Sequence, residues 1–288
     1  MANMILSIIH RSTNKLLIGK TYWKNIILPE ILYGNDNIVY NKSELDQIQK
    51  SENQAYRLIL TAPRYTPIEI LRSEIGSSTV ETRDIITKIT YLKHLLESDN
   101  EMMKEIIKHD IENSITPYSQ IIHKYLQEIK MNLNYILNKN KNQLKNDIKK
   151  IDLEKWKENI KNKTSLNLYN NFKQEIKEEQ NAYDNTEAAR TMFRARSNTL
   201  KLKWRNKFTK EKKNDIICPM CKIHEETLKH FLIECPELDI TRRKMKDTNT
   251  EQEKIRRLLN FEKDKEQNEE GKKILQEMWN LRKKKIQD

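Results

Sequence analysis

The sequence predicts an all-α protein, and three observations lead there. Apolar residues recur at three- and four-residue spacing along almost the whole chain. Only 4 glycines and 6 prolines occur in 288 residues, too few for the many tight turns of a sandwich or barrel. Charged side chains make up 33% of the chain against 36% hydrophobic ones, so any core is thin and spread along helices. The same composition excludes other classes. No apolar run approaches the roughly 18 residues of a membrane span. No Gly-x-Gly is present to cradle a dinucleotide, and glycine is far too scarce for a collagen-like chain.

The elements follow in order. Met4-Ile5-Leu6-Ser7-Ile8-Ile9 is too short for a secretory core and lacks a small-residue cleavage site, so it reads as a first buried helical turn. Ser43 with Asp46 resembles a capping box with a shortened acid, opening a helix from about 43 to 60 with Leu45, Ile48, Ala55, Leu58 and Ile59 on one face. Ala62-Pro63 and Thr66-Pro67 break it, Ile68 to Ser73 forms a short turn or helix, and Gly76-Ser77-Ser78 is a loop. Thr79 can cap the next helix, whose stripe is Val80, Ile85, Ile86, Ile89, Leu92, Leu95 and Leu96. Met102, Met103, Ile106 and Ile107 mark another, and Pro117 separates it from one long amphipathic helix running from Ile121 to Leu137.

Residues 138–163 are rich in Lys and Asn, with sparse anchors at Leu144, Ile148, Ile151 and Trp156, and read as exposed helix or a linker. Apolar spacing returns at Leu166, Leu168, Phe172 and Ile176. Thr186 can cap a helix to about Leu200 with Ala189, Met192 and Phe193 inward. Two helical patterns close the chain, around Ile255, Leu258 and Leu259 and around Ile274, Leu275, Met278 and Trp279; the part beyond Lys263 is expected to be marginally ordered alone. The expected organisation is a helical bundle over 1–137, a charged helical linker over 138–185, a basic helix with a metal module over 186–245, and a charged helical tail over 246–288.

The formal net charge is +12, and it is unevenly placed. Residues 1–130 are neutral overall, whereas Arg190 to Lys213 carries ten bases against Glu211 alone. Charge gathered along one stretch points to a phosphate partner, RNA or DNA, because counterion release depends on cations aligned on a surface; the alternative is a solvated helix face. The candidate contacts are Arg190, Arg194, Arg196, Lys201, Lys203, Arg205 and Lys207. Trp204 and Phe208 interleave with them and could stack on bases, but at a spacing of four they read better as the apolar face of one helix.

All three cysteines lie between Cys218 and Cys235. An odd number cannot complete a disulfide framework, so the expected compartment is reducing: nuclear or cytoplasmic, not secreted. Cys218-Pro219-Met220-Cys221, then eight residues, His230, then four, Cys235 has the spacing of a metal site. Soft thiolates with one imidazole select Zn²⁺, and four protein ligands leave no open position, so one structural ion is expected. Glu225 to Glu234 reads as a short helix carrying His230. His224 is a rival ligand, expected exposed or outside the ligand set, and His10, His94, His109 and His123 are isolated.

Trp23-Lys24-Asn25-Ile26-Ile27-Leu28-Pro29-Glu30-Ile31-Leu32-Tyr33-Gly34 resembles the segment that opens the thumb in reverse transcriptases of non-LTR (LINE-like) retrotransposons. Leu45 to Lys50, Tyr56 to Pro63, Thr66-Pro67, Leu71, Glu74-Ile75-Gly76 and Arg83 continue the likeness in order. Arg194-Ala195-Arg196-Ser197, Leu200, the cysteine–histidine cluster with Glu226 to Leu232, and Arg242 resemble the Cys-Cys-His-Cys module of the same elements. The family's polymerase needs palm aspartates holding two metal ions, yet no Asp-Asp dipeptide occurs here, and no palm or endonuclease segment is recognisable. The resemblance therefore implies the thumb and C-terminal part of such an enzyme, in a separate or truncated reading frame. It would have no catalytic residues of its own, would bind RNA and/or DNA, and could work beside a palm domain in a longer polyprotein, with no membrane partner. The rival expectations are a zinc-stabilised protein-interaction module and a degenerate fragment without selected function.

Overall fold

The computed structural model describes residues 14–178, 183–208, 215–245, 248, 250–262 and 264–287; the apolar turn at Met4 to Ile9 and the bases Lys210, Lys212 and Lys213 lie outside them. The described chain is all-α, without a strand. Its main helices are α1 (Lys15–Tyr22), α2 (Lys42–Ile59), α3 (Ile68–Ile75), α4 (Val80–Leu96), α5 (Glu101–Asn113), α6 (Pro117–Ile129), α7 (Leu133–Asn138), α8 (Lys141–Lys161), α9 (Asn167–Phe172), α10 (Glu187–Arg196), α11 (Glu251–Leu258) and α12 (Lys265–Gln287). None is long and apolar enough to cross a membrane.

Local chemistry sets most of the boundaries. Thr79 and Thr186 cap α4 and α10, their hydroxyls accepting from Thr82 N at 3.0 Å and Ala189 N at 3.1 Å. The capping box of α2 starts two residues before Ser43. Asn41 accepts from Glu44 N at 3.0 Å, and the Glu44 carboxylate accepts from Asn41 N at 2.7 Å, a reach that the shorter Asp46 lacks. The long helix expected up to Leu137 is two helices. Lys130 turns left-handed (φ 53°) to close α6, and Asn132 caps α7 by accepting from Tyr135 N at 2.8 Å.

The expected linker is instead the spine of the molecule. In α8 the buried positions are Leu144, Ile148, Asp152, Trp156 and Ile160, every fourth residue. Each four-residue step over-rotates by about 40°, so the buried stripe winds roughly 160° around the helix and never forms a single face. That winding lets one helix serve two interiors. Leu144 and Ile148 enter a smaller core with Ile89, Leu92, Ile122 and Tyr125. Trp156 and Ile160 enter a larger one with Tyr56, Leu71, Tyr169, Phe193, Leu232 and Leu275.

The larger core draws on residues from Leu16 to Trp279, so the N-terminal bundle, the cysteine–histidine segment and the C-terminal helices share one interior. The tail beyond Lys263 is accordingly a 23-residue helix, α12, packed on α10 and α11. Its crossing with α11 is close: a Cβ on Gly271 would lie 2.2 Å from the Arg257 carbonyl oxygen. Buried ion pairs clamp the helices. Arg83 donates to both oxygens of buried Glu52 at 2.7 Å, and Arg72 holds Asp152 of α8 at 2.8 Å.

Candidate metal centre

The metal-binding segment begins as a small hairpin. Ile217 bridges Glu225 in antiparallel fashion, Glu226 N donates to Ile216 O at 2.9 Å, and Cys218 N donates to His224 O at 2.8 Å. The Cys218–Cys221 turn closes when Lys222, left-handed at φ 58°, donates its N–H to Cys218 O at 2.9 Å. The helix expected over 225–234 starts only near Leu228 and continues as a π-turn, His230–Glu234, with Cys235 N donating to His230 O at 2.8 Å. The wider turn matters because an i→i+5 bond stacks residues five apart, putting His230 and Cys235 on one side.

The four ligand atoms of Cys218, Cys221, His230 and Cys235 lie within 4.8 Å of one another. Cys218 Sγ is 3.9 Å from Cys235 Sγ, and Cys221 Sγ is 3.5 Å from His230 Nε2. Tetrahedral bonds of about 2.3 Å to sulfur and about 2.0–2.1 Å to nitrogen imply edges of roughly 3.8 Å and roughly 3.5 Å. The group therefore has the dimensions to hold one metal ion. The shared hydrogen bond between Cys218 and Cys235 lowers the Cys218 thiol below its ordinary value and raises that of Cys235. His230 turns Nε2 inward and Nδ1 toward Glu234 Oε2, 3.9 Å away, the side on which outer carboxylates orient such ligands. His224 is exposed and outside the group, its ring 5.7 Å from that of His230.

The centre is fastened to the bundle. Leu228, Phe231 and Leu232 enter the larger core, and Phe231 meets Trp279 of α12 edge-on at 5.9 Å. Arg242 donates to the Cys235 carbonyl. Glu226, which sequence reasoning did not single out, is fully buried; it accepts from Arg282 at 2.6 Å and from Lys203 N at 2.7 Å. One carboxylate thus ties the metal segment to α12 and to the start of the basic turn. The sequence offers no signal for that role, because its partners Lys203 and Arg282 lie 23 and 56 residues away.

The seven candidate cations do not share one environment. Arg196 is a correction: it is buried, donating to Glu74 Oε2 at 2.8 Å, to Leu259 O at 2.6 Å and to Asn260 O, with its guanidinium 4.0 Å over the Phe261 ring. It cannot reach a phosphate. Lys203 pairs with Asp215 and Lys207 with Glu225, both at 2.7 Å. Arg205 lies 4.3 Å over the Tyr65 ring, Arg190 and Arg194 are half-buried, and Lys201 is exposed. Half-buried Trp204 packs against the larger core, whereas Phe208 is exposed, so the two do not form one buried face. Lys203–Phe208 is a 3₁₀ turn with no buried residue, and at three residues per turn positions four apart diverge by about 120°. The Lys-rich helix α8 lies outside the predicted contact set, yet Lys141, Lys145, Lys149, Lys157 and Lys161 are exposed there with no ion pair among the described residues. Compared with protein-family models, curated proteins and solved structures, the chain finds no match.

Proposed function

We propose that the chain is a non-catalytic nucleic-acid-binding protein whose Cys-Cys-His-Cys group holds one structural Zn²⁺. Three thiolates and an imidazole favour Zn²⁺, and four protein ligands leave no position for a reacting water. The observation that carries the binding reading is the fastening of the basic turn to the metal segment through Glu226, beside exposed Lys201, Lys207 and Lys222. Cations held at fixed separations bind a phosphate chain with less ordering cost than free side chains.

The fit to the C-terminal part of a LINE-like reverse transcriptase has one structural support. Glu74 and Arg196, which stand in the two separate blocks of resembling residues, form a buried ion pair. On that reading the bundle would contact a template–primer duplex, the metal segment would hold template RNA or target DNA, and an associated palm domain would supply the polymerase chemistry.

Binding of RNA and DNA by the full chain, followed by fluorescence anisotropy over a salt series, tests the reading. Arg194→Gln with Lys201→Gln and Lys207→Gln should weaken binding and lower the log–log salt slope by roughly 0.7–0.9 for each phosphate no longer neutralised. A parallel set at Lys145, Lys149, Lys157 and Lys161 reports whether α8 also holds phosphates. No affinity at low salt sinks the reading and favours a zinc-stabilised protein-interaction module.

A further inference from the structure

We propose that Tyr65, Trp204, Arg205 and Phe208 form a stacking platform for an unpaired base of a single-stranded nucleic acid, an inference that rests on the nucleic-acid reading and specifies its ligand. The four side chains come from two distant segments and meet at the surface. Tyr65 sits between Pro63 and Pro67 in a loop held by buried Thr66, whose N–H donates to Pro63 O at 3.0 Å. Its hydroxyl donates to Thr199 O at 3.3 Å. Arg205 lies 4.3 Å over that ring, 5.8 Å from the Trp204 ring, and donates to Asn198 O at 2.7 Å. Phe208 meets Trp204 edge-on at 5.7 Å. The platform is therefore pre-assembled: both Tyr65 and Arg205 are anchored to backbone carbonyls of the same 198–199 turn.

Two features set this patch apart from ordinary solvated surface. Tyr65 is 52% and Phe208 78% exposed, and among the described aromatic residues only Tyr33, at 85%, is exposed besides them. The Trp204 Nε1–H is shielded from solvent yet has no acceptor among the described residues, and such groups normally find one.

The rim selects the ligand. Arg64, Lys201 and Lys207 are exposed around the aromatic residues in sequence, and Arg205 presents a guanidinium at the centre. A flat apolar ring joined to anionic linkers fits that combination, and a nucleobase within a phosphate chain is such a ligand. A duplex keeps its base faces stacked inside and offers only phosphates. An acidic peptide would meet the cations but has few flat faces.

The molecule carries its own reporter. Trp23, Trp156 and Trp279 are buried at 1%, 0% and 8% exposure, so half-buried Trp204 is the most accessible of the four indoles. The full chain would be titrated with short oligo(dT), oligo(rU) and a duplex of equal length, reading tryptophan quenching and anisotropy. Both single strands are expected to quench. Phe208→Ala and Tyr65→Ala are each expected to weaken single-strand binding about tenfold, leaving duplex affinity and the salt slope unchanged because no cation is removed. Tyr65→Phe should retain binding, since the ring remains, and helical circular dichroism confirms that each variant folds. Single-strand affinity unaltered in Phe208→Ala and Tyr65→Ala, with the salt slope intact, overturns the platform alone. Absence of any nucleic-acid binding by the unaltered chain at low salt overturns both the platform and the reading beneath it.

Discussion

Replacing Arg196 by Met tests how the basic segment is anchored. Glu74 and Arg196 both have fully buried side chains, 2.8 Å apart. Tyr169 donates to the same carboxylate at 2.7 Å, as does Tyr183, while Arg196 also satisfies the carbonyls of Leu259 and Asn260. Arg196→Met leaves a buried carboxylate with two phenols and strands two carbonyls. Removing one partner of such a pair costs about 3–5 kcal/mol. At about 2–4 °C per kcal/mol for a large domain, the melting temperature should fall by roughly 6–20 °C.

The pH dependence supplies the check. Burial alone would raise the Glu74 carboxyl, but Arg196, then Lys173 and the two tyrosines outweigh it and hold the carboxyl below its ordinary value. A depressed folded-state value means the stabilisation is complete above the unfolded value of about 4.3 and is lost as pH falls through the folded one. Without the guanidinium, burial dominates and the carboxyl rises. The variant then becomes relatively more stable on acidification, and the gap to the unaltered protein narrows as pH falls toward the unfolded value of about 4.3. Urea denaturation followed by circular dichroism measures both, and the Glu74→Gln/Arg196→Met double variant should recover about 1–3 kcal/mol relative to the sum of the singles. A cost below about 1 kcal/mol for Arg196→Met, or strict additivity in the cycle, would refute the clamp.

Two further outcomes follow from the packing. Gly271→Ala should destabilise by about 1–3 kcal/mol because the new methyl meets the Arg257 carbonyl oxygen, whereas Ala for Gly in an open helix stabilises by about 1 kcal/mol; thermal denaturation reads the sign, and a gain means α11 and α12 do not cross so closely. Purified protein should contain close to one zinc per chain by metal analysis, and chelation or Cys218→Ser should unfold residues 215–240 with most helical signal kept. Because Phe231 packs on Trp279, tryptophan emission should change with it, and protein isolated without near-stoichiometric metal would defeat the assignment.

What could be read from sequence was local. Caps at Thr79 and Thr186 need only a hydroxyl and the next turn, and the Cys218–Cys235 spacing reflects a turn and a short helical segment. What could not be read depended on distant partners or on a change of helical pitch. Nothing near Arg196 in the chain announces Glu74, which lies 122 residues away. The winding stripe of α8 defeats any test for a single apolar face. Trp204 and Phe208 follow an α-helical spacing inside a 3₁₀ turn, so a pattern that buries both rings elsewhere leaves Phe208 exposed and Trp204 half-buried here.

The buried acids also change what the charge run means. Arg196 is spent inside on Glu74, Lys203 and Lys207 have acidic neighbours, and Arg205 is stacked on Tyr65. The salt slope contributed by this segment should therefore fall short of the one its run of bases implies. The same acids supply geometry in exchange. Glu226 joins the metal segment, the basic turn and α12, while Glu74 joins α3 to α10 and, through Arg196, to the Leu259 and Asn260 carbonyls after α11. Other residues that carry the resemblance also do interior work: Leu71 is buried, Arg83 holds Glu52, and Arg242 caps the Cys235 carbonyl. On the proposed reading these clamps would let a few remaining cations, with the exposed rings of Tyr65 and Phe208 beside half-buried Trp204, act as a rigid contact surface, for which the count of charges is a poor measure and their placement the relevant one.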